Sequence, residues 1–287
     1  MTFDKGTKFC IVGMGQMGGN YAKLLTQNGF EVGGMDISPE AIEYAKENGF
    51  ISHGRCEVDG DWLRDFDVVV FALYPTAFEN WIRENQKYLK SGALLTDVTG
   101  VKACIINKIQ SLLRDDLEYI GAHPMAGREK SGIRTSNPEV FRGANYIITP
   151  TEKNTERAVA LCAELGRILG FGTITTLSPQ EHDSMIAFLS QLTHCIAVAL
   201  MTCRDTSAMA EYSGDSFRDL TRIAKINEKL WSELFLLNKE ELLRQMTLFE
   251  KSFSELRRTI EEDDKEALCE IMKYSAKQRE LFDKRKT

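Results

Sequence analysis

The chain has 287 residues, 43% of them hydrophobic and 27% charged, with a net charge of −6. This is length for two modest domains and the makeup of a soluble globular protein. The acidic balance leaves no basic stripe for nucleic acid. Seven cysteines without a C-x-x-C pair fit neither a zinc site nor a disulfide frame, so reduced thiols and a cytoplasmic setting are expected.

In chain order, the amino terminus runs straight into a strand-like segment, Lys8–Val12, with nothing like a signal peptide before it. Phe30–Asp36, Asp67–Leu73, Leu94–Asp97, Tyr119–Ala122 and Asn145–Thr149 follow as further strands, with helical stretches between them. Asp67–Leu73 is nearly all apolar, as a parallel strand covered on both faces must be. The pattern implies βαβ units and a doubly wound parallel sheet. After Thr176 the strand signals stop. Ser178-Pro-Gln-Glu181 offers a serine cap, a first-turn proline and a glutamate at the third position, opening a helix expected to reach about Thr202. Its later part is apolar on every side, which buries it within its domain or against a partner subunit. Its longest apolar run, about Cys195 to Met201, is too short for a bilayer. Further helix starts fall at Asn238 and at Asp263 or Asp264, and the charged stretch from Glu261 onward reads as a solvated helix face. The expected division is 1–177, the sheet domain, and 178–287, all helical.

Gly13-Met14-Gly15-Gln16-Met17-Gly18 fits G-x-G-x-x-G between the first strand and a helix, and Asp36 ends the next strand 18 residues later. Gly13 permits a tight turn, Gly15 a close approach of backbone to pyrophosphate, and Gly18 close helix–strand packing. The helix amino terminus supplies N–H groups for the phosphates. Asp36 can accept from both ribose hydroxyls and repels a 2′-phosphate, and Ile37-Ser38-Pro39 supplies no arginine to offset it, so NAD is favoured over NADP. The first domain is thus of the Rossmann type. Leu73 and Asp97, at the carboxyl ends of their strands, are expected on the same cofactor-facing edge.

Of four histidines, His53 lies in a loop-like stretch, and His182, beside Asp183, reads as a packing or interface residue. His123 follows a strand in Gly121-Ala-His-Pro-Met-Ala-Gly127, where a histidine near a nicotinamide can take the proton of an alcohol as its hydride leaves. His194 alone reads as a hydrogen-bonded core histidine. Arg222 fits a carboxylate clamp or a salt bridge with Asp219 or Glu228 equally well.

The run His123-Pro-Met-Ala-Gly-Arg-Glu-Lys-Ser-Gly132 resembles the signature of the prephenate/arogenate dehydrogenases. So do Ser178-Pro-Gln-Glu-His-Asp183, Gln191-Leu-Thr-His194, and Arg218-Asp-Leu-Thr-Arg-Ile-Ala-Lys225 with Trp231 downstream. The resemblance covers nearly the whole chain in order. It implies that His123 bonds the ring 4-hydroxyl as base, that Arg222 binds a substrate carboxylate, and that His194 lines the substrate pocket. It also implies a helical domain that forms a homodimer, and an oxidative decarboxylation needing NAD and no metal. Two positions depart from the family pattern. Where the family commonly has Asp-x-Gly-Ser-x-Lys, this chain reads Asp97-Val-Thr-Gly-Val-Lys102, so Gly100 replaces the serine and Thr99 stands next to it as a substitute hydroxyl. Gln191 stands where many members carry a second histidine. Both positions are expected to shape substrate binding, with Arg128 and Glu129 at the pocket mouth. Two rivals share the architecture. A β-hydroxyacid dehydrogenase or imine reductase calls for a lysine on the long helix, and Ser178 to Ala224 contains none. An NAD-binding sensor needs no base or carboxylate clamp.

Overall fold

The computed structural model describes residues 2–127, 131–205 and 207–283. Within them, eight strands form one sheet: β1 Lys8–Val12, β2 Glu31–Met35, β3 His53–Arg55, β4 Val68–Phe71, β5 Leu94–Asp97, β6 Glu118–Pro124, β7 Asn145–Thr149 and β8 Thr173–Thr176. Their order is β3-β2-β1-β4-β5-β6-β7-β8. The ladder is parallel from β3 to β6, antiparallel between β6 and β7, and parallel again to β8. The chain order reverses between β1 and β4, which opens the ligand crevice at the carboxyl ends of those strands.

The helices of this half are α1 Gln16–Gln27, α2 Pro39–Glu47, α3 Gly60–Leu63, α4 Pro75–Asn85, α5 Ala103–Leu112 and α6 Glu156–Ile168. Alternate residues of β4 divide between two cores, as the pleat requires. Val68 and Val70 join Tyr21, Leu25 and Leu165 on one face, while Val69 and Phe71 join Phe78, Ile82 and Ile105 on the other. Both faces are buried, so the near-continuous apolar run of β4 is explained.

Strands β3 and β8 were not among the expected ones. His53-Gly-Arg55 has no β-forming composition, yet it pairs with β2 at the sheet edge. His53 is no free loop residue either: its Nδ1 accepts from Trp62 Nε1 at 2.7 Å.

After β8 the described chain is helical: α7 Pro179–Ile186, a π-turn Ala187–Leu192, α8 Thr193–Thr202, α9 Asp215–Thr221, α10 Glu228–Leu237, α11 Lys239–Glu261 and α12 Lys265–Glu280. The expected capping box opens α7, with Ser178 and Glu181 satisfying each other's backbone N–H. The π-turn joins α7 and α8 into one helix, Pro179–Thr202. Contrary to the expectation from its apolar run alone, that helix is long and apolar enough to cross a membrane by length and composition. One side of it, with Ile186, Ala187 and Leu192, is buried within the chain, whereas Met185, Phe188 and Leu189 are exposed.

The chain folds as two compact units, Met1–Asn238 and Lys239–Thr287. In the first, Leu234 of α10 is buried in the core beneath β4 and β5, and Glu233 accepts from the backbone and hydroxyl of Thr76 at the start of α4. Helix α10 is therefore held on the sheet half. The second unit is a helical pair; α12 carries no buried residue, and Asp264 caps it.

Candidate active site

The glycine loop follows β1 and meets each demand placed on it. Gly13 adopts φ +97°, and a Cβ there would collide with the Ala72 carbonyl and touch Leu73, so the turn excludes other residues. A Cβ on Gly18 would collide with the Gly13 carbonyl, while one on Gly15 would meet nothing within 4 Å. The space beside Gly15 is thus open at the crevice. No side chain caps the first turn of α1, and no acidic residue sits in it. Its N–H groups face an anion favourably. Asp36 lies across the loop and accepts from Met14 N at 2.6 Å and Ser38 N at 2.8 Å. Met14 is buried under the loop, whereas Gln16 and Met17 are half-buried. Gln16 donates to Thr135 Oγ1 at 3.3 Å, tying α1 to the segment that follows β6. Open backbone at Gly15, an uncapped helix start and one carboxylate at the end of β2 fit a dinucleotide. Leu73 lies beside the Gly13 turn, just past the end of β4.

Three groups expected to face ligand turn inward instead. Asp97 is fully buried and accepts from Thr99 N, Lys102 Nζ (2.6 Å) and Tyr119 OH (2.9 Å). Thr99 is buried, and its hydroxyl is engaged by Asp97, Val101 O and Lys102 Nζ. Burial of an ion pair without partners is costly, and this cluster supplies them. The burial of Lys102 pushes its pKa below the usual lysine range, with Asp97 opposing that shift. Gln191, in the π-turn, donates to Leu234 O at 2.9 Å and accepts from Asn238 Nδ2 at 2.8 Å. In the structure Asp97, Thr99 and Gln191 are all bonded within the protein. They shape the loop after β5 and the seat of α10, and Gly100 is left as the loop's open position.

His123 lies on β6 itself, one residue beyond the expected strand end, and pairs with Ile147 of β7. Its Nδ1 stands 2.8 Å from His182 Nε2, and His182 Nδ1 stands 2.7 Å from Asp183 Oδ1. Asp183 also accepts from the backbone N–H groups of Lys102 and Ala103, both at 2.8 Å, at the start of α5. A Cβ placed on Gly100 would be 3.9 Å from His123 Nε2 and 3.4 Å from Leu234. The outer nitrogen of His123 thus looks toward the Gly100–Leu234 gap. Burial first, then the neighbouring His182 and Lys102, hold its pKa well below the usual imidazole range. Burial also lowers His182, against the pull of Asp183. Burial thus favours the neutral form of each ring, the form in which His123 can accept a proton.

One turn from Leu234 on α10, Trp231 stacks on His194 at 3.7 Å between ring centres. His194 Nδ1 is 2.8 Å from Ser190 O, across the π-turn. Helix α10 therefore carries Leu234 toward His123 and Trp231 against His194. Arg222 is exposed at the turn Arg222–Ala224, which packs on α8. Arg128 and Glu129 lie outside the described residues. The sequence reading missed His182 and Asp183 as site residues. Their adjacency in Glu-His-Asp was visible, but the contact with His123 spans 59 residues and arises only from folding.

A glycine loop of the dinucleotide type after β1, on a doubly wound sheet followed by a helical half, is the architecture of a nucleotide-binding dehydrogenase. Two family profiles divide the chain: "Prephenate dehydrogenase, nucleotide-binding domain" matches residues 21–170, and "Prephenate dehydrogenase, dimerization domain" matches residues 178–274. The chain is 28% identical to a prephenate dehydrogenase of Bacillus subtilis, over 92% of this chain and 72% of that one. It is 29% identical to a cyclohexadienyl dehydrogenase of Zymomonas mobilis, over 76% of each. A crystal structure of prephenate dehydrogenase from A. aeolicus, in complex with hydroxyphenyl propionate and NAD+, superposes with a TM-score of 0.88 at 31% identity, covering 96% of this chain and 98% of that one. The chain belongs to the prephenate dehydrogenase family.

Proposed function

We propose that the protein oxidatively decarboxylates prephenate to 4-hydroxyphenylpyruvate with NAD, in the route to tyrosine. The observation that carries this reading is the placement of His123 on β6, its Nδ1 against His182 and its outer nitrogen directed to the Gly100–Leu234 gap at the carboxyl edge of the sheet. Gly13, Gly15, Gly18 and the start of α1 would hold the pyrophosphate, and Asp36 the adenosine ribose. When bound, NAD accepts the hydride of the carbinol carbon. His123 takes the proton of the ring hydroxyl at Nε2, so the carbon–oxygen bond becomes a carbonyl as the hydride leaves. Loss of the ring carboxylate as carbon dioxide then restores an aromatic ring, and the protein need only hold the geometry. Arg222 serves as the carboxylate clamp, because a guanidinium binds a carboxylate through two parallel bonds. His194, flat against Trp231, walls the ring pocket.

In this reading residues 1–177 carry the cofactor, and 178–287 complete the substrate pocket and form a homodimer. The exposed Met185, Phe188 and Leu189 support the dimer, because apolar surface of this kind on a single helix calls for a partner. The seven free cysteines suit a reducing cytoplasm. A second reading, arogenate giving tyrosine directly, is favoured by the cyclohexadienyl dehydrogenase relative.

The test is His123→Asn, whose amide can still donate toward His182 but offers no base at the position of Nε2. Turnover should fall about 10²–10⁴-fold while NAD binding, read by calorimetry, is kept. Unchanged turnover would remove His123 from the chemistry.

A further inference from the structure

We propose that His182 and Asp183 form a positioning pair that locks His123 as the tautomer with a bare Nε2, and that they share the positive charge His123 acquires. The inference rests on the reading of His123 as the base, and the geometry fixes the protons one after another. Asp183 Oδ1 accepts from Lys102 N and Oδ2 from Ala103 N, so both carboxylate oxygens are held as acceptors at the start of α5. Helix α5 has no side-chain cap of its own from Lys102. Asp183 fills that place from a segment 80 residues further on, where the helix end favours a negative group. Facing such an acceptor at 2.7 Å, His182 Nδ1 must carry the hydrogen. A neutral His182 then has only a lone pair at Nε2, buried and 2.8 Å from His123 Nδ1. His123 must donate there, and its own lone pair is left on Nε2, toward the Gly100 gap.

The order is that of a nucleophile's histidine steadied by an aspartate, with a second imidazole inserted between them. When His123 takes a proton at Nε2, its Nδ1–H bond to His182 becomes charge-assisted, and the charge is passed toward Asp183. Lys102 Nζ is a further charged group acting on both rings. It is drawn away by Asp97 at 2.6 Å, so the aspartate of the pair is not cancelled by it. His182 and Asp183 belong to the first turns of α7, set in place by the Ser178–Glu181 capping box. Asn238 Nδ2 adds a bond to Asp183 O at 2.9 Å.

The experiment uses the intact, NAD-bound protein labelled with 15N-histidine, and reads the protonation of each ring nitrogen by NMR, with His123→Asn and His182→Gln assigning the signals. Both His123 and His182 should carry hydrogen on Nδ1 and none on Nε2. A His123 protonated at Nε2 overturns the proposal. This reading needs no substrate, so it stands apart from whether prephenate is turned over, and it needs no stable variant at His182. Kinetics supply the second arm. His182→Gln keeps an acceptor oxygen near the position of Nε2 and should hold kcat within about tenfold. His182→Leu removes it and should lower kcat about 10²-fold or more, with the KM for NAD unchanged. Equal kcat in the two folded variants overturns the proposal.

Discussion

At the scale of residues, burial of His123 and His182 against each other disfavours their charged forms, and this links stability to pH. In the unfolded chain each takes a proton near pH 6.5. In the folded chain burial depresses both His123 and His182. Below about pH 6.5 the unfolded state therefore binds more protons than the folded one, and stability is lost as pH falls. The melting temperature should decline between pH 7 and 5.5, before the carboxylates begin to titrate, and less so in His182→Gln. A flat profile over that range in the wild-type protein would contradict the assignment. The same residues mark how far single positions are legible. Gly13, Gly18 and Asp36 answer to constraints of the chain near them, so spacing alone assigned their places. His182 beside Asp183 on α7 looked like packing, because its partner His123 sits 59 residues away on β6.

Among elements, the loop between β5 and α5 bears the greatest electrostatic load. Lys102 and Asp97 are both fully buried, and Tyr119 and Thr99 complete the shell around Asp97. Removing one member of such a pair leaves an uncompensated buried charge, which costs about 3–5 kcal/mol. Lys102→Met should lower the urea midpoint accordingly, and the double variant Lys102→Met/Asp97→Leu should recover part of the loss. A single variant as stable as wild type would show that the pair does not hold the loop. The strands with strong apolar runs and the Ser178 cap were readable because each is a local pattern. Edge strand β3, with its His-Gly-Arg sequence, owes its existence to pairing with β2, and no local preference announces it. The π-turn at Ala187–Leu192 is equally silent. Its extra residue is accommodated where Gln191 reaches Leu234 O and Asn238, so tertiary bonds and not propensity favour it.

For the whole molecule, the long helix Pro179–Thr202 matters most, because it buries Ile186, Ala187 and Leu192 yet exposes Met185, Phe188 and Leu189. The proposed dimer would cover these exposed residues and complete the burial expected from the apolar sequence. Light scattering should give about twice the 32.5 kDa chain mass. Phe188→Asp should shift the protein to a monomer, as a charge in an apolar interface is strongly unfavourable. A wild-type monomer at micromolar concentration would contradict the dimer. Family membership and fold together set the reaction class, but they leave the choice of side chain on the substrate ring to be measured. The direct test is NADH absorbance with purified protein and NAD, prephenate and arogenate being supplied separately and carbon dioxide counted beside NADH. Our account predicts turnover of prephenate with one carbon dioxide per NADH. Preference for arogenate would keep the site and change the substrate. NADH formation without carbon dioxide, or none with either substrate while NAD binds, would contradict the account.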